Sequence, residues 1–481
     1  MTRTGINLRR NGARVVSLLL LILSLGAMAI AQEGVSSASA SRARYLAETG
    51  LLPPANEVAV EEFVNYYRHR LATPKAGEAV AMDTRWGNDR VSAQQPDAIF
   101  QVGFTTSAVG DRTSLRPLNL VLVIDRSGSM AAADKMTRVK QSLLTMMSQL
   151  RPEDVVAIVT FDTGAEVLLP AQRIGDGASV KRAIRGIEPG GSTNLHGGLM
   201  LGYREARKNL QRDATNRVIL LTDGIANTGV TDPQQIVRES LTFNDDGIDL
   251  STIGVGLDLD KDLLRQLSKG GRGLFHFVAD AQDIEKVFVK EVQSLISPVA
   301  RRVQLEIAYS PELELEHLYG YEPQHGNNRV TLKFDDMNQG LTEVVLMRFR
   351  VRRPQTARER LPVSVRLSYY DLEQKRDVVK EEEAFLIVGS NASSSEMLKD
   401  QEVRKNFTVA QLAQAIHDMA AEWESKNYQK AEVIASAALA SAFQRYPNLE
   451  DKDILYTLNI LQKYQEAINR HNRQLRDAAL R

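Results

Sequence analysis

The sequence contains no cysteine among its 481 residues. This excludes disulfide bonds and lipid attachment at a cysteine, so stability has to come from packed cores. A net charge is also lacking, because 60 basic residues balance 60 acidic ones. Such a balance gives no indication of a general nucleic-acid binder or of a polybasic membrane-surface protein. The hydrophobic content of 43% is ordinary for globular protein, and the length predicts about three domains.

Motifs for common enzyme chemistries are missing as well. The seven histidines include no pair at metal-ligand spacing on one helix and none flanking a glutamate, which gives no support for a zinc hydrolase. Ser127 lacks the preceding glycine of a nucleophile elbow, and no glycine-rich segment carries the lysine of a phosphate-binding loop. We interpret His196 as an ordinary residue at the start of a helix. We therefore predict that the chain is not an enzyme.

An apolar segment lies near the N-terminus. Four arginines precede an apolar run at residues 15–30 that is short for a membrane-spanning helix, and small residues follow at 29–31. This pattern predicts a cleaved signal peptide at residues 1–31 rather than a retained anchor. No later run is long enough to span a bilayer. Export without cysteine fits a bacterial route, so we expect a periplasmic or extracellular bacterial protein.

The most informative stretch is LNLVLVIDRSGSM, from Leu118 to Met130. Six of its first seven residues are apolar, as in a strand buried on both faces of a parallel sheet. The run ends in Asp125, Ser127 and Ser129, whose alternating side chains can point toward one small volume. Open α/β sheets place their sites at such strand ends. Oxygen ligands gathered in this way suit a hard cation such as Mg²⁺.

Two separate segments supply further oxygen ligands. A glycine-rich turn before a helical run offers the hydroxyl of Thr193, and a second buried strand, residues 218–221, is followed by Asp223. A strand with DxSxS, a loop threonine and a strand aspartate therefore occur in this order. The pattern resembles the metal-ion-dependent adhesion site of the von Willebrand factor type A domain family, with every motif position filled, over roughly residues 115–298.

The resemblance implies both a site and a function. In that family, two serines and a threonine bind the metal directly, while two aspartates act directly or through water. The predicted metal site therefore consists of Asp125, Ser127, Ser129, Thr193 and Asp223. Its metal would be Mg²⁺, with Mn²⁺ or Ca²⁺ as alternatives. Neutral hydroxyl ligands leave such a metal electrophilic, with an open position that an Asp or Glu carboxylate of a protein partner can fill.

The leading functional hypothesis is a metal-dependent adhesion or assembly protein of the bacterial envelope. One alternative is a structural assembly protein whose metal only stabilises a loop, and another is a metal-dependent hydrolase. The segments VEEFVNYY and AIFQVGF also resemble the N-terminal segment of a bacterial branch of the family. That branch places a β domain and a helical segment after the metal domain.

The same order of domains is predicted from the residue patterns. Alternating strands and helices indicate a doubly wound, Rossmann-like α/β domain, closed by a helix at about residues 280–296. Short strands separated by turns indicate an antiparallel β-sandwich, and Ala-rich runs indicate a small C-terminal helical domain. The predicted segments are a flexible leader at 32–52, an N-terminal helix and strand segment at 53–112, the metal domain at 113–298, the sandwich at 299–389 and the helical domain at 396–481.

One strand suggests how these parts are connected. Residues 98–104 read as a strand that has no partner before the metal domain begins. We expect this strand to join the later sheet, so that the α/β domain is inserted between strands of the sandwich. A helix is expected at residues 58–70 of the same N-terminal segment, where apolar residues recur at helical spacing.

Overall fold

The structure is a computed structural model that describes residues 38–92, 95–107, 117–211, 214–256, 259–278, 298–321, 324–326, 328–334, 336–352, 359–389 and 398–479. The predicted signal peptide and the predicted closing helix at 280–296 lie outside these ranges. Within them, no helix combines the length and the apolar character needed to cross a membrane.

Helices and strands are numbered here in chain order. The helices are α1 (Ala38–Thr49), α2 (Val60–Val64), α3 (Lys135–Met147), α4 (Ala178–Arg185), α5 (Leu195–Lys208), α6 (Pro233–Asp245), α7 (Lys261–Gly270), α8 (Gln401–Glu424), α9 (Tyr428–Arg445) and α10 (Lys452–Ala479). The strands are β1 (Val80–Trp86), β2 (Arg90–Val91), β3 (Asp97–Thr106), β4 (Leu118–Asp125), β5 (Val155–Phe161), β6 (Ala165–Arg173), β7 (Thr215–Thr222), β8 (Asp249–Val255), β9 (Phe275–Val278), β10 (Pro298–Tyr309), β11 (Leu313–Leu318), β12 (Gln324–Gly326), β13 (Arg329–Phe334), β14 (Met337–Asn338), β15 (Thr342–Val351), β16 (Glu359–Asp371) and β17 (Arg376–Val388).

Strands β4 to β9 form the α/β domain. Their order is β6-β5-β4-β7-β8-β9, and all neighbours are parallel except the β5–β6 pair. Every residue of the central strand β4 is buried, because alternate side chains enter cores on opposite faces of the sheet. Helices α3 and α4 cover one face, and α5, α6 and α7 cover the other. The predicted doubly wound α/β fold is confirmed.

The edge strand β6 was not predicted. Its residues are mostly exposed or half-buried, so they lack the continuous apolar run that identifies β4 and β5. It is held by its antiparallel pairing with β5 and by a buried carboxylate. Glu205 of α5 accepts a hydrogen bond of 2.8 Å from the backbone N–H of Ala171.

Two further sheets pack face to face as a β-sandwich. One has the order β1-β3-β15-β11 and the other the order β12-β13-β10-β16-β17-β2, with the short β14 beside β10. All pairs are antiparallel except the short β2–β17 contact. Phe100 and Met347 from the first sheet share one buried core with Leu305 and Val363 from the second.

The α/β domain is inserted in this sandwich. Strand β3, which precedes the domain, pairs with β15, which follows it, from Thr105 opposite Thr342 to Asp97 opposite Arg350. The sandwich strands before and after the inserted domain both reach Asn338, whose carbonyl accepts a 2.5 Å hydrogen bond from the hydroxyl of Thr106 in β3 and which pairs with Pro298 in β10. The expectation that the strand at 98–104 has no earlier partner was wrong, because β3 also pairs with β1.

The C-terminal helices cover the outer face of the first sheet. Ile99 of β3 and Leu346 of β15 are buried in one core with Phe407 of α8. A buried polar contact joins the same elements, since Asn406 donates a 3.0 Å hydrogen bond to Gln101. Strand β3 is therefore covered on both faces, by the sandwich core and by the helical domain.

The described part of the predicted flexible leader, residues 38–52, contains helix α1. Ala40, Ala43 and Ala47 are buried in the helical core, and the hydroxyl of Tyr464 on α10 donates to the Ala43 carbonyl. Small alanines allow two helices to approach closely. A composition rich in Ser and Ala is typical of a linker. The sequence pattern could not indicate the partner helix α10, which lies more than 400 residues away in the chain.

The predicted helix at 58–70 is shortened to α2. It ends at Val64, and the side-chain amide of the next residue, Asn65, bonds to both backbone groups of Val344 in β15, donating to the carbonyl at 3.1 Å and accepting from the N–H at 2.7 Å. This contact ties the chain to the sheet at the point where the helix ends. A tertiary contact therefore overrides the local apolar spacing.

We predict that the rest of the chain can fold without the α/β domain. Residues 108–297 would be replaced by about six glycine and serine residues, which reach roughly 20 Å. Such a linker should suffice because Ser107, next to Thr106, and Pro298 both lie close to Asn338. The shortened chain should be soluble and unfold in one cooperative thermal transition followed by circular dichroism. Aggregation or a non-cooperative transition would show that the sandwich needs the inserted domain.

Candidate metal centre

The candidate site begins with a buried carboxylate at the centre of the α/β sheet. Asp125 is the last residue of β4, and it is fully buried. One of its oxygens accepts a 2.8 Å hydrogen bond from the backbone N–H of Ser127, and the other accepts a 2.6 Å bond from the hydroxyl of Thr222. Thr222 ends the neighbouring strand β7, so the carboxylate is held between two parallel strand ends. Sequence analysis missed Thr222, although its position directly before Asp223 was a usable signal.

A line of hydroxyl groups leads from this carboxylate to the second one. The Ser127 and Ser129 hydroxyl oxygens are 3.0 Å apart, and Ser129 donates a 2.7 Å bond to Oδ1 of Asp223. The loop that carries the serines is fixed by a 3.0 Å bond from the Gly128 N–H to the Gly191 carbonyl. Ser127 is buried while Ser129 is exposed. The arrangement therefore opens toward solvent at Ser129.

Thr193 is brought to the same place by the loop that follows β7. Its N–H donates to the Asn227 side chain at 2.8 Å, and the Asn227 N–H donates to the Thr193 carbonyl at 3.1 Å. Its hydroxyl lies 3.4 Å from the position that a Cβ atom would take on Gly224, the residue after Asp223. A side chain at Gly224 would crowd that hydroxyl. The structure thus gathers all five predicted site residues, and their role as metal ligands stays a prediction.

The charges of the site are unevenly placed. Burial raises the pKa of Asp125 to about 6, and the nearby Asp223 carboxylate adds to this shift. Asp223 itself has a cation beside it, because Lys135 Nζ lies 2.6 Å from its Oδ2. Sequence analysis did not identify Lys135, which stands at the start of α3 without any spacing that would mark it.

The rim of the site carries its own ion pairs. Arg126 lies between two acidic side chains, 3.0 Å from Asp162 and 3.1 Å from Glu166. His196 is directed to α6, where its Nε2 is 2.8 Å from Glu239. This pairing agrees with the interpretation of His196 as an ordinary helix residue rather than a metal ligand.

The donor set fits a hard divalent cation. It consists of three hydroxyl groups and two carboxylates, which are the oxygen ligands that Mg²⁺ and Mn²⁺ accept. In the part of the chain that the structure describes, no group of three or more His, Asp or Glu side chains could hold a metal. A metal bound here would therefore rely on the hydroxyl groups of Ser127, Ser129 and Thr193.

Comparisons with known proteins agree with this fold. The family model described as von Willebrand factor type A domain matches residues 119–290, and a second model, described as von Willebrand factor, matches residues 27–94. A solved structure, the von Willebrand factor type A protein from Catenulispora acidiphila, matches with a TM-score of 0.50 at 16% identity, over 77% of this chain and 88% of that one. At this identity the match shows the fold alone.

Curated relatives match over shorter parts. The chain is 29% identical to Uncharacterized protein YfbK of Escherichia coli (strain K12) over 61% of its own length and 53% of the relative's. It is 30% identical to inter-alpha-trypsin inhibitor heavy chain H2 of Mus musculus over 39% of its length and 21% of the relative's. The chain thus spans about half of YfbK and a fifth of the heavy chain. With the doubly wound sheet and the matching family model, residues 119–290 of this chain are a von Willebrand factor type A domain.

Proposed function

We propose that the chain is a metal-dependent protein-binding protein of the bacterial envelope. Domains of the von Willebrand factor type A family typically mediate protein interaction or adhesion and commonly bind a divalent metal. The observation that carries the proposal is the convergence of Asp125, Ser127, Ser129, Thr193 and Asp223 at the ends of β4 and β7, where the site opens to solvent at Ser129. The envelope location rests on the signal peptide predicted for residues 1–31.

The residues of the site have different proposed roles. Ser127, Ser129 and Thr193 would hold the metal, and Asp125 and Asp223 would balance its charge directly or through water. When bound, Mg²⁺ supplies an electrophilic position that accepts a carboxylate oxygen from a protein partner. The hydrogen bonds from Thr222 and from the Ser127 N–H fix the Asp125 carboxylate before the metal arrives. This preorganisation lowers the cost of assembling the ligands.

The surface around the site suits a protein partner. Ile225, directly after the Asp223–Gly224 pair, is 56% exposed. Ala131 and Ala132, which follow Ser129, are exposed as well. These side chains offer apolar contact next to the proposed carboxylate position. An acidic side chain flanked by apolar residues is the kind of partner segment that this surface would bind.

Capture of a partner should depend on the metal. The full chain would be immobilised and exposed to a bacterial envelope extract in Mg²⁺, in chelator, and in chelator followed by Mg²⁺. We expect a protein to be retained, lost and retained again, while Ser129→Ala captures nothing under any condition. Capture that ignores the chelator would favour the structural assembly alternative. Turnover of a substrate by the loaded chain would be required for the hydrolase alternative.

Metal affinity should fall when one hydroxyl ligand is removed. Ser129→Ala and Thr193→Ala should each weaken Mg²⁺ binding at least about tenfold, because even the outer partners of metal ligands contribute factors of about 10 to 100. Ser192→Ala, a half-buried neighbour in the same loop, should leave the affinity unchanged. Isothermal titration calorimetry measures the affinity, and circular dichroism checks that the sheet stays folded. Unchanged Mg²⁺ binding in the first two variants would reject these residues as ligands.

The raised pKa of Asp125 predicts that this residue lowers the free energy of unfolding by an amount that depends on pH. Its pKa of about 6 exceeds the ordinary 3.8, so between these values the folded state binds more protons than the unfolded chain. The stability that the protonated Asp125 carboxyl group contributes is therefore present below about pH 4 and is lost as the pH rises to about 6. Without metal at about pH 7.5, Asp125→Asn should therefore raise the free energy of unfolding by up to about 3 kcal/mol.

The same substitution provides its own controls. Near pH 4 the gain should shrink, because the wild-type carboxyl group is then protonated in the folded state. In saturating Mg²⁺ the order should invert, because the metal stabilises the wild type more strongly. Urea denaturation under the three conditions measures these differences. An Asp125→Asn variant less stable than wild type without metal at neutral pH would contradict the argument.

A further inference from the structure

Lys135 places a fixed positive charge inside the candidate metal centre. Its amino group donates to Oδ2 of Asp223 at 2.6 Å, while Oδ1 of the same carboxylate accepts from Ser129 at 2.7 Å. The Asp223 side chain is 0% exposed and that of Lys135 is 21% exposed. The amino group also lies close to the end of β8, 3.5 Å from the position of a Cβ atom on Gly256. The ion pair is therefore confined rather than freely solvated.

The position of this lysine does not serve its own helix. Lys135 is the first residue of α3, where a positive charge is unfavourable against the helix macrodipole. The first turn has no acidic residue, and the preceding Asp134 has a left-handed backbone (φ 56°) and makes no capping hydrogen bond through its side chain. The local sequence thus opposes a cation here. The positive charge of Lys135 is balanced instead by Asp223, which directly follows β7.

No other basic side chain of the site plays this part. Arg126 is held on the rim by Asp162 and Glu166, so its charge is already balanced by two acidic groups. Lys135 has no other acidic partner among the ion pairs of the described residues. The carboxylate that it contacts is one of the two that would balance a bound metal.

We propose that Lys135 shares Asp223 with the divalent cation and so gives the metal-loaded centre an excess of one positive charge. This inference rests on the proposed function, and it identifies Lys135 as the residue that sets the ligand preference of the metal-loaded site. With Mg²⁺ bound, the two carboxylates of Asp125 and Asp223 balance the metal, and the lysine charge remains. Two effects follow from this charge: it opposes cation binding, and it favours an anion over water at the open position.

Substitution of Lys135 separates these two effects. Lys135→Met removes the charge and keeps most of the side chain, Lys135→Gln keeps a hydrogen-bond donor, and Lys135→Arg keeps the charge. Lys140→Met is the matched control, because Lys140 lies on the same helix, is also 21% exposed, and pairs with the exposed Glu188. All variants are made in the full chain. Calorimetry with Mg²⁺ measures cation affinity, and water-proton relaxation of the Mn²⁺-loaded chain titrated with acetate measures anion binding.

The neutral variants should change the two affinities in opposite directions. Lys135→Met and Lys135→Gln should bind Mg²⁺ at least about tenfold more tightly, which is the scale of the repulsion between an ammonium group and a divalent cation over roughly 5 Å in water. The same variants should bind acetate about threefold or more weakly. Lys135→Arg and Lys140→Met should stay within about twofold of wild type. If the neutral variants bind Mg²⁺ or acetate as wild type does, the inference on Lys135 is overturned while the metal site stands. If neither wild type nor these variants bind Mg²⁺, both the inference and the proposed function are overturned.

Discussion

The structure depends on one strand that is buried on both faces. Nine of the ten residues of β3 are buried, which requires a hydrogen-bonded neighbour on each edge and a packed core above and below. β1 and β15 supply the edges, the second sheet supplies one core, and helices from both ends of the chain supply the other. Helices α1, α2 and α8 to α10 are therefore parts of one core. Residues of the inserted α/β domain lie outside this core, and the domain contacts it at α1, which packs against β9.

The candidate site shows the opposing demands of binding and stability. The Asp125 carboxylate at the end of a fully buried strand is held by hydrogen bonds from the Ser127 N–H and the Thr222 hydroxyl. Burial makes its charge unfavourable and raises its pKa. The second carboxylate has a cation beside it without any metal, because Lys135 forms an ion pair with Asp223. Hydroxyl groups fill the space between the two. They can turn to serve either as donors to carboxylates or as ligands to a cation, so the same atoms suit both states.

The parts that could be predicted from the sequence are those where local pattern and tertiary role coincide. The continuous apolar run of β4 and the polar residues after it indicate a buried parallel strand and a site at its end. The pairing of β3 with a later strand was also predicted, although the reason given for it, the absence of an earlier partner, was wrong because β1 is such a partner. The antiparallel strand β6, the helix α1 and the early end of α2 depend on partners far away in the chain, such as Tyr464 and Val344. The Lys135–Asp223 pair belongs to the same class, since 88 residues separate its members. The spacing of residues along the sequence cannot predict contacts between residues that are so far apart in the chain.

The meeting of β3 and β10 at Asn338, on either side of the α/β domain in the sequence, has a consequence for the order of folding. The hydrogen bond between Leu341 and Thr106 closes a loop of 235 residues, and closing so long a disordered loop is slow because few of its conformations bring the ends together. If residues 117–278 are already folded, far fewer disordered residues remain in this loop, and its closure costs less conformational entropy. Prior folding of the domain that carries the site would therefore favour the pairing of β3 with β15. Slow or failed folding of the inserted domain would leave β3 and β15 as unpaired edges, open to association with other chains.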